Sequence, residues 1–484
     1  MCGIIGIVTK KEHVSFEMYE SLTMLQHRGQ DAAGMVTFDG RFFHEKKDNG
    51  YVREVFSASD MEGLAGRTGL GQVRYPTAGT LDAKEAQPFF LNVPFGMHLV
   101  HNGNLTNADD LRHRIVDKYR RHLQTNSDTE MLLNIFANAL FQNIKGQENP
   151  DRKSVVLNAV QQTMEVIRGA YSVITLIDGV GMLAFRDPHG IRPLVMGKRG
   201  EGEWAFASED VAFAPIGFTA VRDVKPGEAI LIDVEGNMHA FEASKGELVP
   251  CIFEYIYLAR PDSLMDGISV YKTRLRLGSL LAKQIIDSGI ELDAVMPVPA
   301  SSRPAALELA SRIGIKYREG LVKNNYISRT FIMPDQGMRE RSVRRKLNTV
   351  PLEFKGKSVL LVDDSIVRGT TIKRIIKMCR EAGAKRVYVA SAAPPVRYPN
   401  VYGVDMPTKS ELIAHGKTIE EIEKEIGADK LFYQTIEDMR SAAQVGNPKI
   451  KRFEDSCFSG EYITGDITEA DLMKLEGERK GVRH

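Results

Sequence analysis

Within SVLLVDDSIVRGTT (358–371) an apolar run from Val359 to Val362 ends in two adjacent acids, Asp363 and Asp364. The chain then passes through a short loop rich in Ser, Gly and Thr into a helix that starts near Thr371. In open α/β sheets, ligands sit at the carboxyl ends of strands. Backbone N–H groups where a loop enters a helix, together with the helix dipole, favour a phosphate there. Gly369 lets the backbone approach closely, and the hydroxyls of Thr370 and Thr371 add donors. The acids would repel the phosphate itself. They suit ribose hydroxyls, a magnesium ion held through oxygen ligands, or both. A capped helix after a core strand, with two surface acids, is the plain alternative.

The surroundings fit an α/β domain with a mostly parallel sheet. LDAVMPVPA, GIKYREGLV, KSVLLVDD and AKRVYVASAAP read as short apolar strands, interleaved with helical segments such as RPAALELASRI and TTIKRIIKMCREAG. The first half has a different rhythm. GMVTFDGRFF (34–43) reads as a hairpin turning at Asp39-Gly40, and FGMHLVHNGNL (95–105) as a strand running into an Asn/Gly turn. Val156, Val160, Met164 and Ile167 recur at helical spacing, before strand-like segments resume. This predicts a layered α+β unit with much antiparallel sheet. Near residues 242–250 the chain becomes charged and punctuated by Gly and Pro, which marks a boundary. The expected units are 2–245, 246–470 and a polar tail, 471–484, whose end frays.

Composition excludes several classes. With 484 residues the chain has room for two or three domains. A net charge of +1 gives no bulk attraction to nucleic acid or acidic lipid, and neither is expected as a partner. The best membrane-span candidate, residues 170–185, is broken by Asp178 and Gly181, so no span is expected. Cys2, Cys251, Cys379 and Cys457 show no short pairing, which fits a reducing cytosol and a cytoplasmic protein.

The chain opens MCGIIGIV. No charged segment precedes the apolar run and no small-residue cleavage site follows it, so it reads as a buried strand rather than a signal peptide. Cys2 is either a small residue at the start of that strand or, once Met1 is removed, a nucleophile that carries its own base. An α-amino group has a pKa near ~8 and can take the thiol proton at neutral pH. A thiolate attacking a carboxamide also needs an oxyanion hole and a grip on the substrate. Arg74 in VRYPTAG suits an α-carboxylate, Asn102 and Gly103 in HNGNLTN suit an oxyanion, and Asp128 in TNSDTE suits an α-ammonium. Each also has an ordinary explanation: an ion pair, a turn and a helix N-cap.

Taken together these stretches resemble known families. The 358–371 stretch is similar to the phosphoribosyl pyrophosphate loop of the type I phosphoribosyltransferases. The resemblance implies that Asp363 and Asp364 meet the ribose and metal, while Ser365, Arg368, Gly369, Thr370 and Thr371 wrap the 5′-phosphate. MPVPASS (296–302) resembles that family's pyrophosphate loop and makes Ser301 a metal or pyrophosphate contact. Between the two, Arg339, Arg341, Arg344, Arg345 and Lys346 form a cationic run, read as a mobile lid over pyrophosphate. MCGIIGI, QHRGQDAAG, VRYPTAG, HNGNL and NSDTE resemble, in order, the N-terminal-nucleophile glutamine amidotransferases. There the nucleophile, carboxylate clamp, oxyanion donors and ammonium acceptor fall at Cys2, Arg74, Asn102, Gly103 and Asp128. Gln72 departs from the family, where His is common.

Across nearly the whole chain, FEYIYLARPDSLMDGISVY, RTFIMP, VDDSIVRGTT and YGVDMPTKSELIAHG resemble the amidophosphoribosyltransferase family. The resemblance implies a glutaminase sandwich of two antiparallel sheets between helices, followed by a phosphoribosyltransferase domain. The implied reaction opens purine nucleotide synthesis: glutamine, phosphoribosyl pyrophosphate and water give 5-phosphoribosylamine, glutamate and pyrophosphate. Magnesium, a homotetramer and inhibition by AMP and GMP are implied as well. Some relatives hold an iron–sulfur cluster on four cysteines. Here Cys251 and Cys457 fill two of those positions, but Asn400 and Glu454 fill the others, so no cluster is expected, and no long propeptide. Cys379 reads as core. A glucosamine-phosphate synthase would share the first half but lacks the phosphoribosyl loop. A phosphoribosyl-pyrophosphate-sensing regulator would need no glutaminase half.

Overall fold

In the computed structural model, which describes residues 2–75, 83–148, 150–324 and 347–481, the strand Gly3–Val8 runs through the interior of a seven-stranded sheet. Thr68–Arg74 flanks it on one side and Glu203–Ala207 on the other, both antiparallel. Its side chains alternate as a strand's must. Ile5 and Ile7 pack with Val14, Met18 and Leu22 of the helix Val14–Met24. Ile4 points the other way, into a core shared with Ile174 and Met182 of a second sheet. Gly6 lies on that same face, where a Cβ would come to 2.8 Å from Ile174 Cγ2, so the sheets meet closely at glycine. The second sheet has six antiparallel strands, with Met97–Leu105 between Phe89–Leu91 and Gly169–Ile177. Helices Asp128–Ile144 and Arg152–Val166 cover its outer face. Helix, sheet, sheet and helix therefore stack in the order expected for a glutaminase sandwich.

The second half is built on a parallel sheet in the order Ala294–Pro297, Ser358–Asp363, Arg386–Ser391, Lys430–Tyr433. Leu360 and Val362 face a core formed with helices Val270–Asp287 and Arg303–Ile313. Val359 and Leu361 face the opposite core, with Thr370–Glu381 and Ile419–Ile426. Both faces of the sheet are covered, as an all-parallel sheet requires.

Several local expectations need correction. HNGNL is not a turn: Asn102 and Gly103 continue the strand Met97–Leu105 and pair with Ser172 and Tyr171. The Asp39-Gly40 turn is present, with Asp39 Oδ1 accepting from the N–H groups of Arg41 and Phe42 at 2.7 Å each. GIKYREGLV joins the parallel sheet only through one parallel bridge, Tyr317 beside Val295, and forms no full strand there. Its Leu321–Lys323 pairs antiparallel with Leu347–Thr349 in a two-stranded sheet. The fourth parallel strand, Lys430–Tyr433, carried too short an apolar run to stand out. The polar tail is helical over most of its length, and residues 482–484 at its end lie outside the described residues. The tail forms the helix Glu469–Gly481, where Thr468 and Asp471 hydrogen-bond reciprocally at the N-terminus. The cationic run 339–346 and residues 76–79 of VRYPTAG lie outside the described residues.

Candidate active site

The first cluster of expected residues gathers at the mouth of the Gly3–Val8 strand. Cys2 is buried, and its backbone nitrogen donates to Asn102 Oδ1 at 3.3 Å. Its Sγ lies 3.9 Å from the Tyr75 carbonyl oxygen. Asn102 Nδ2 makes only a long contact, 3.5 Å, with Ser208 Oγ, which itself accepts from Ile4 N. That amide is the donor with reach to spare. Gly103 has φ +154, and a Cβ there would fall 2.0 Å from the Ala170 carbonyl oxygen, so the position admits no side chain.

The peptide before Asn102 is fixed from two sides. Gln72 Nε2 donates to the His101 carbonyl at 2.9 Å, and His101 N–H donates to Gln87 Oε1 at 2.7 Å. Gln72, the departure from the family's usual His, thus holds the backbone one residue ahead of Asn102. Burial pushes the pKa of His101 down, and the nearby Asp128 carboxylate only partly opposes this. A neutral His101 packs its Nδ1 against Thr129 Oγ1 at 3.2 Å.

Asp128 is the first residue of its helix, not the N-cap; Ser127 takes that role by accepting from Thr129 N–H. Asp128 Oδ2 accepts from Leu105 N–H at 3.0 Å, which ties the acid to the end of the Asn102 strand. The helix dipole favours its charge there. Arg74 ends the Thr68–Arg74 strand, largely buried, and pairs with Glu85 at 2.6 Å.

Arg28, within QHRGQDAAG, carries a contact that no spacing revealed. It is fully buried, and Nε donates to the Cys2 carbonyl at 3.0 Å. Its other nitrogens reach Glu209 at 2.5 Å and Glu254 at 2.7 Å, while Arg192 also pairs with Glu254 and His27 with Glu209. Burial would raise the Glu209 carboxyl, but His27 and Arg28 outweigh it and hold the group far below the usual carboxylate range. The only hint in the sequence was an arginine inside a quoted motif; its partners lie 181 and 226 residues away.

The second cluster lies at the carboxyl ends of two neighbouring parallel strands. Pro297 stands opposite Val362 in register, which brings the loop carrying Ser301 beside Asp363 and Asp364. Ser301 Oγ donates to Asp364 Oδ2, and Ser365 Oγ donates to Asp364 Oδ1 at 2.7 Å. Burial pushes both carboxyls up. For Asp363 the neighbouring Asp364 adds to the rise, whereas Ser301 and Ser365 restrain it for Asp364. Gly369 takes φ +73 immediately before the helix Thr370–Glu381, one residue earlier than expected, and Thr370 and Thr371 are exposed at its N-terminus. A Cβ on Gly369 would meet Ile413 Cδ1 at 2.2 Å. Arg368 is exposed and pairs with Glu411 at 3.3 Å. Arg274, missed in the sequence, is buried and donates to the carbonyls of Tyr255 and Ala259, and its charge faces Asp364. Two carboxylates and a hydroxyl form a hard, oxygen-only donor set, which fits magnesium.

The four positions compared with a cluster site also converge. Cys251 bridges Glu454, Asn400 Nδ2 donates to Glu454 Oε2 at 3.4 Å, and Cys457 is buried alongside. Glu454 is held up by burial and accepts from Ser456 N–H at 3.0 Å. Among the described residues no group of three or more His, Cys, Asp or Glu could hold a metal ion. Cys379 lies in the core between the parallel sheet and helix Thr370–Glu381.

Known proteins match both halves. The profile of a glutamine amidotransferase domain matches residues 77–215, and that of a phosphoribosyl transferase domain matches residues 271–409. The amidophosphoribosyltransferase of Pasteurella multocida is 53% identical over 100% of this chain and 96% of its own length. The structure of the B. subtilis glutamine phosphoribosylpyrophosphate amidotransferase, complexed with ADP and GMP, superposes with a TM-score of 0.83 at 37% identity, covering 97% of this chain and 98% of that one. A structure described as the allosteric regulatory enzyme of purine biosynthesis gives a TM-score of 0.85 at 37% identity and covers 99% of each chain. With both halves matched and the likeness running end to end, the chain belongs to the amidophosphoribosyltransferase family.

Proposed function

We propose that this chain hydrolyses glutamine at Cys2 and delivers the ammonia to phosphoribosyl pyrophosphate, the amidophosphoribosyl transfer of purine biosynthesis. The observation that carries the reading is the contact of the Cys2 nitrogen with Asn102 Oδ1, which sets a nucleophile, its amine and a carboxamide donor together. With Met1 removed, that nitrogen is an amine able to take the thiol proton. The thiolate adds to the glutamine carboxamide, and Asn102 Nδ2 and Gly103 N–H stabilise the oxyanion. The C–N bond breaks, ammonia leaves with the returned proton, and water hydrolyses the thioester to glutamate. Arg74 takes the substrate α-carboxylate by exchanging part of its pairing with Glu85, and Asp128 takes the α-ammonium.

At the second site Asp363 and Asp364 receive the ribose hydroxyls, and Ser365, Arg368, Gly369, Thr370 and Thr371 receive the 5′-phosphate. Asp363, Asp364 and Ser301 are the residues that would hold magnesium, which neutralises the departing pyrophosphate. Ammonia displaces pyrophosphate at the anomeric carbon and yields 5-phosphoribosylamine. Ammonia kept inside the protein stays neutral and nucleophilic, whereas in water it would be mostly ammonium; this is the physical reason to join the two units, 2–245 and 246–470, in one chain.

Asn400 and Glu454 support a chain without an iron–sulfur cluster, since two thiolates cannot replace four. The likeness to a structure holding ADP and GMP supports regulation by purine nucleotides such as AMP and GMP; a cytoplasmic homotetramer is proposed from the family resemblance alone. No helix among the described residues is long and apolar enough to cross a membrane.

The deciding experiment measures glutamate release from glutamine with magnesium, with and without phosphoribosyl pyrophosphate. Strong stimulation with pyrophosphate appearing in step is expected. Release indifferent to the second substrate would sink the coupled reading.

A further inference from the structure

Gly103 is confined on both sides. One wall is the Ala170 carbonyl of the paired strand. The other comes from the second half of the chain: Gly403, at φ +95, lies so close that a Cβ there would sit 2.9 Å from the carbonyl carbon and oxygen of Gly103 and 3.1 Å from its Cα. Backbone therefore presses on backbone with no side chain between.

The segment that brings Gly403 there is itself fixed. Asn400 Oδ1 accepts from the N–H groups of Tyr402 at 2.8 Å and Val404 at 3.1 Å, which folds the chain around Gly403. The Val401 carbonyl accepts from Asn104 Nδ2 at 2.9 Å, and Asp405 accepts from the Tyr75 hydroxyl at 3.1 Å. Asn104 adjoins Gly103 in the strand, and Tyr75 is the residue whose carbonyl lies by Cys2 Sγ.

The geometry points to Gly403 as a positioning residue for glutamine hydrolysis: it is the second wall that fixes the peptide of Gly103, so that the oxyanion donors are aligned only while the 400–405 segment is docked. This rests on the assignment of Asn102 and Gly103 as oxyanion donors. An oxyanion contact is sensitive to small displacements, and loss of one donor costs roughly a hundredfold or more in kcat. The absence of a side chain is what position 403 supplies.

The test is Gly403→Ala in the full-length enzyme, with phosphoribosyl pyrophosphate and magnesium present. Glutamine kcat is expected to fall at least tenfold, with KM for glutamine within threefold and ammonia-dependent synthesis within twofold. Alkylation of Cys2 by iodoacetamide, read at the Cys2 peptide by mass, is expected at the wild-type rate, because displacement at carbon needs no oxyanion hole. An unchanged glutamine kcat overturns the proposal, and so does a parallel fall in all these readouts, which would mean general damage. Asn104→Ala removes the bond to Val401 without crowding Gly103; it is expected to lower glutamine kcat a few-fold with alkylation unchanged. Should Gly403→Ala fail to fold, wild-type kcat in Asn104→Ala overturns the proposal. Asn102→Ala tests the underlying assignment separately: full glutamine kcat in that variant would remove the oxyanion reading itself, whatever Gly403→Ala does.

Discussion

The Cys2 site draws its groups from stretches scattered between residues 2 and 208, whereas the phosphate site takes all but Ser301 and the buried Arg274 from 358–371. At the first, each group is held by another from elsewhere: Cys2 by Asn102 and Arg28, His101 by Gln72 and Gln87, Asp128 by Leu105 N–H. At the second, one strand, one loop and one helix start set the geometry through local backbone. The difference teaches what each site depends on. An assembled site is only as exact as the packing between its contributors. A contiguous site is carried by the strand that ends in it.

The largest effect separates the two sites outright. Cys2→Ala should abolish glutamine-dependent synthesis and leave ammonia-dependent synthesis within about twofold. Full glutamine use by that variant would remove Cys2 as nucleophile. Asp363→Asn with Asp364→Asn should lower both activities by about a hundredfold or more, because either nitrogen source needs the ribose held. Loss of only one activity would break the comparison.

Arg28→Met probes dependence on packing. It leaves Glu209 and Glu254 short of a buried partner, for which the typical cost is about 3–5 kcal/mol. Melting temperature and glutamine kcat should fall together. By contrast, Thr370→Val with Thr371→Val alters exposed side chains at a helix start; it should raise KM for phosphoribosyl pyrophosphate several-fold while the melting temperature stays put.

The smallest effect concerns the junction of the two halves. Burial and the nearby Asp266 raise the Asp223 carboxyl to about 7, and Arg186 partly opposes this. The folded chain then holds a proton that the unfolded chain releases near its ordinary value. This contribution is fully present below the unfolded pKa and is lost as pH rises toward 7. Asp223→Asn removes the titration. Its stability relative to the parent should grow between about pH 4 and 7 and level off above, by an amount on the order of a few kcal/mol at most. Denaturation midpoints at several pH values read this directly, and a constant difference across the range would refute it.

How much of the molecule was legible follows the same division. The 358–371 stretch could be read as strand, acids, loop and helix because every determinant is local, and the helix start was misplaced by one residue. HNGNL looked like a turn because Asn-Gly is a turn dipeptide. Its strand conformation is imposed by pairing with Gly169–Ile177, more than sixty residues on. Arg28, Gln87, Ser208 and Glu209 could not be found by spacing, since each acts through partners that only the fold brings near. Arg74, Asn102, Gly103 and Asp128 were expected from the grip and oxyanion hole a thiolate needs and from resemblance, and their surroundings add what neither supplied: the pairing of Arg74 with Glu85 and the tie from Asp128 to Leu105.

Three buried arginines among the described residues cross from the first half of the chain to the second: Arg28 and Arg192 to Glu254, and Arg186 to Asp266 at 2.8 Å. Ala170 and Ile191, from the first half, are packed inside the core of the second. A chain severed near residue 245 would strand all three guanidinium groups beside apolar surface that had lost its cover. The two catalytic modules are therefore no longer interchangeable parts. Recombination that grafted another acceptor domain onto this glutaminase would have to furnish carboxylates at the same two places, so the junction itself restricts which enzymes can descend from this one.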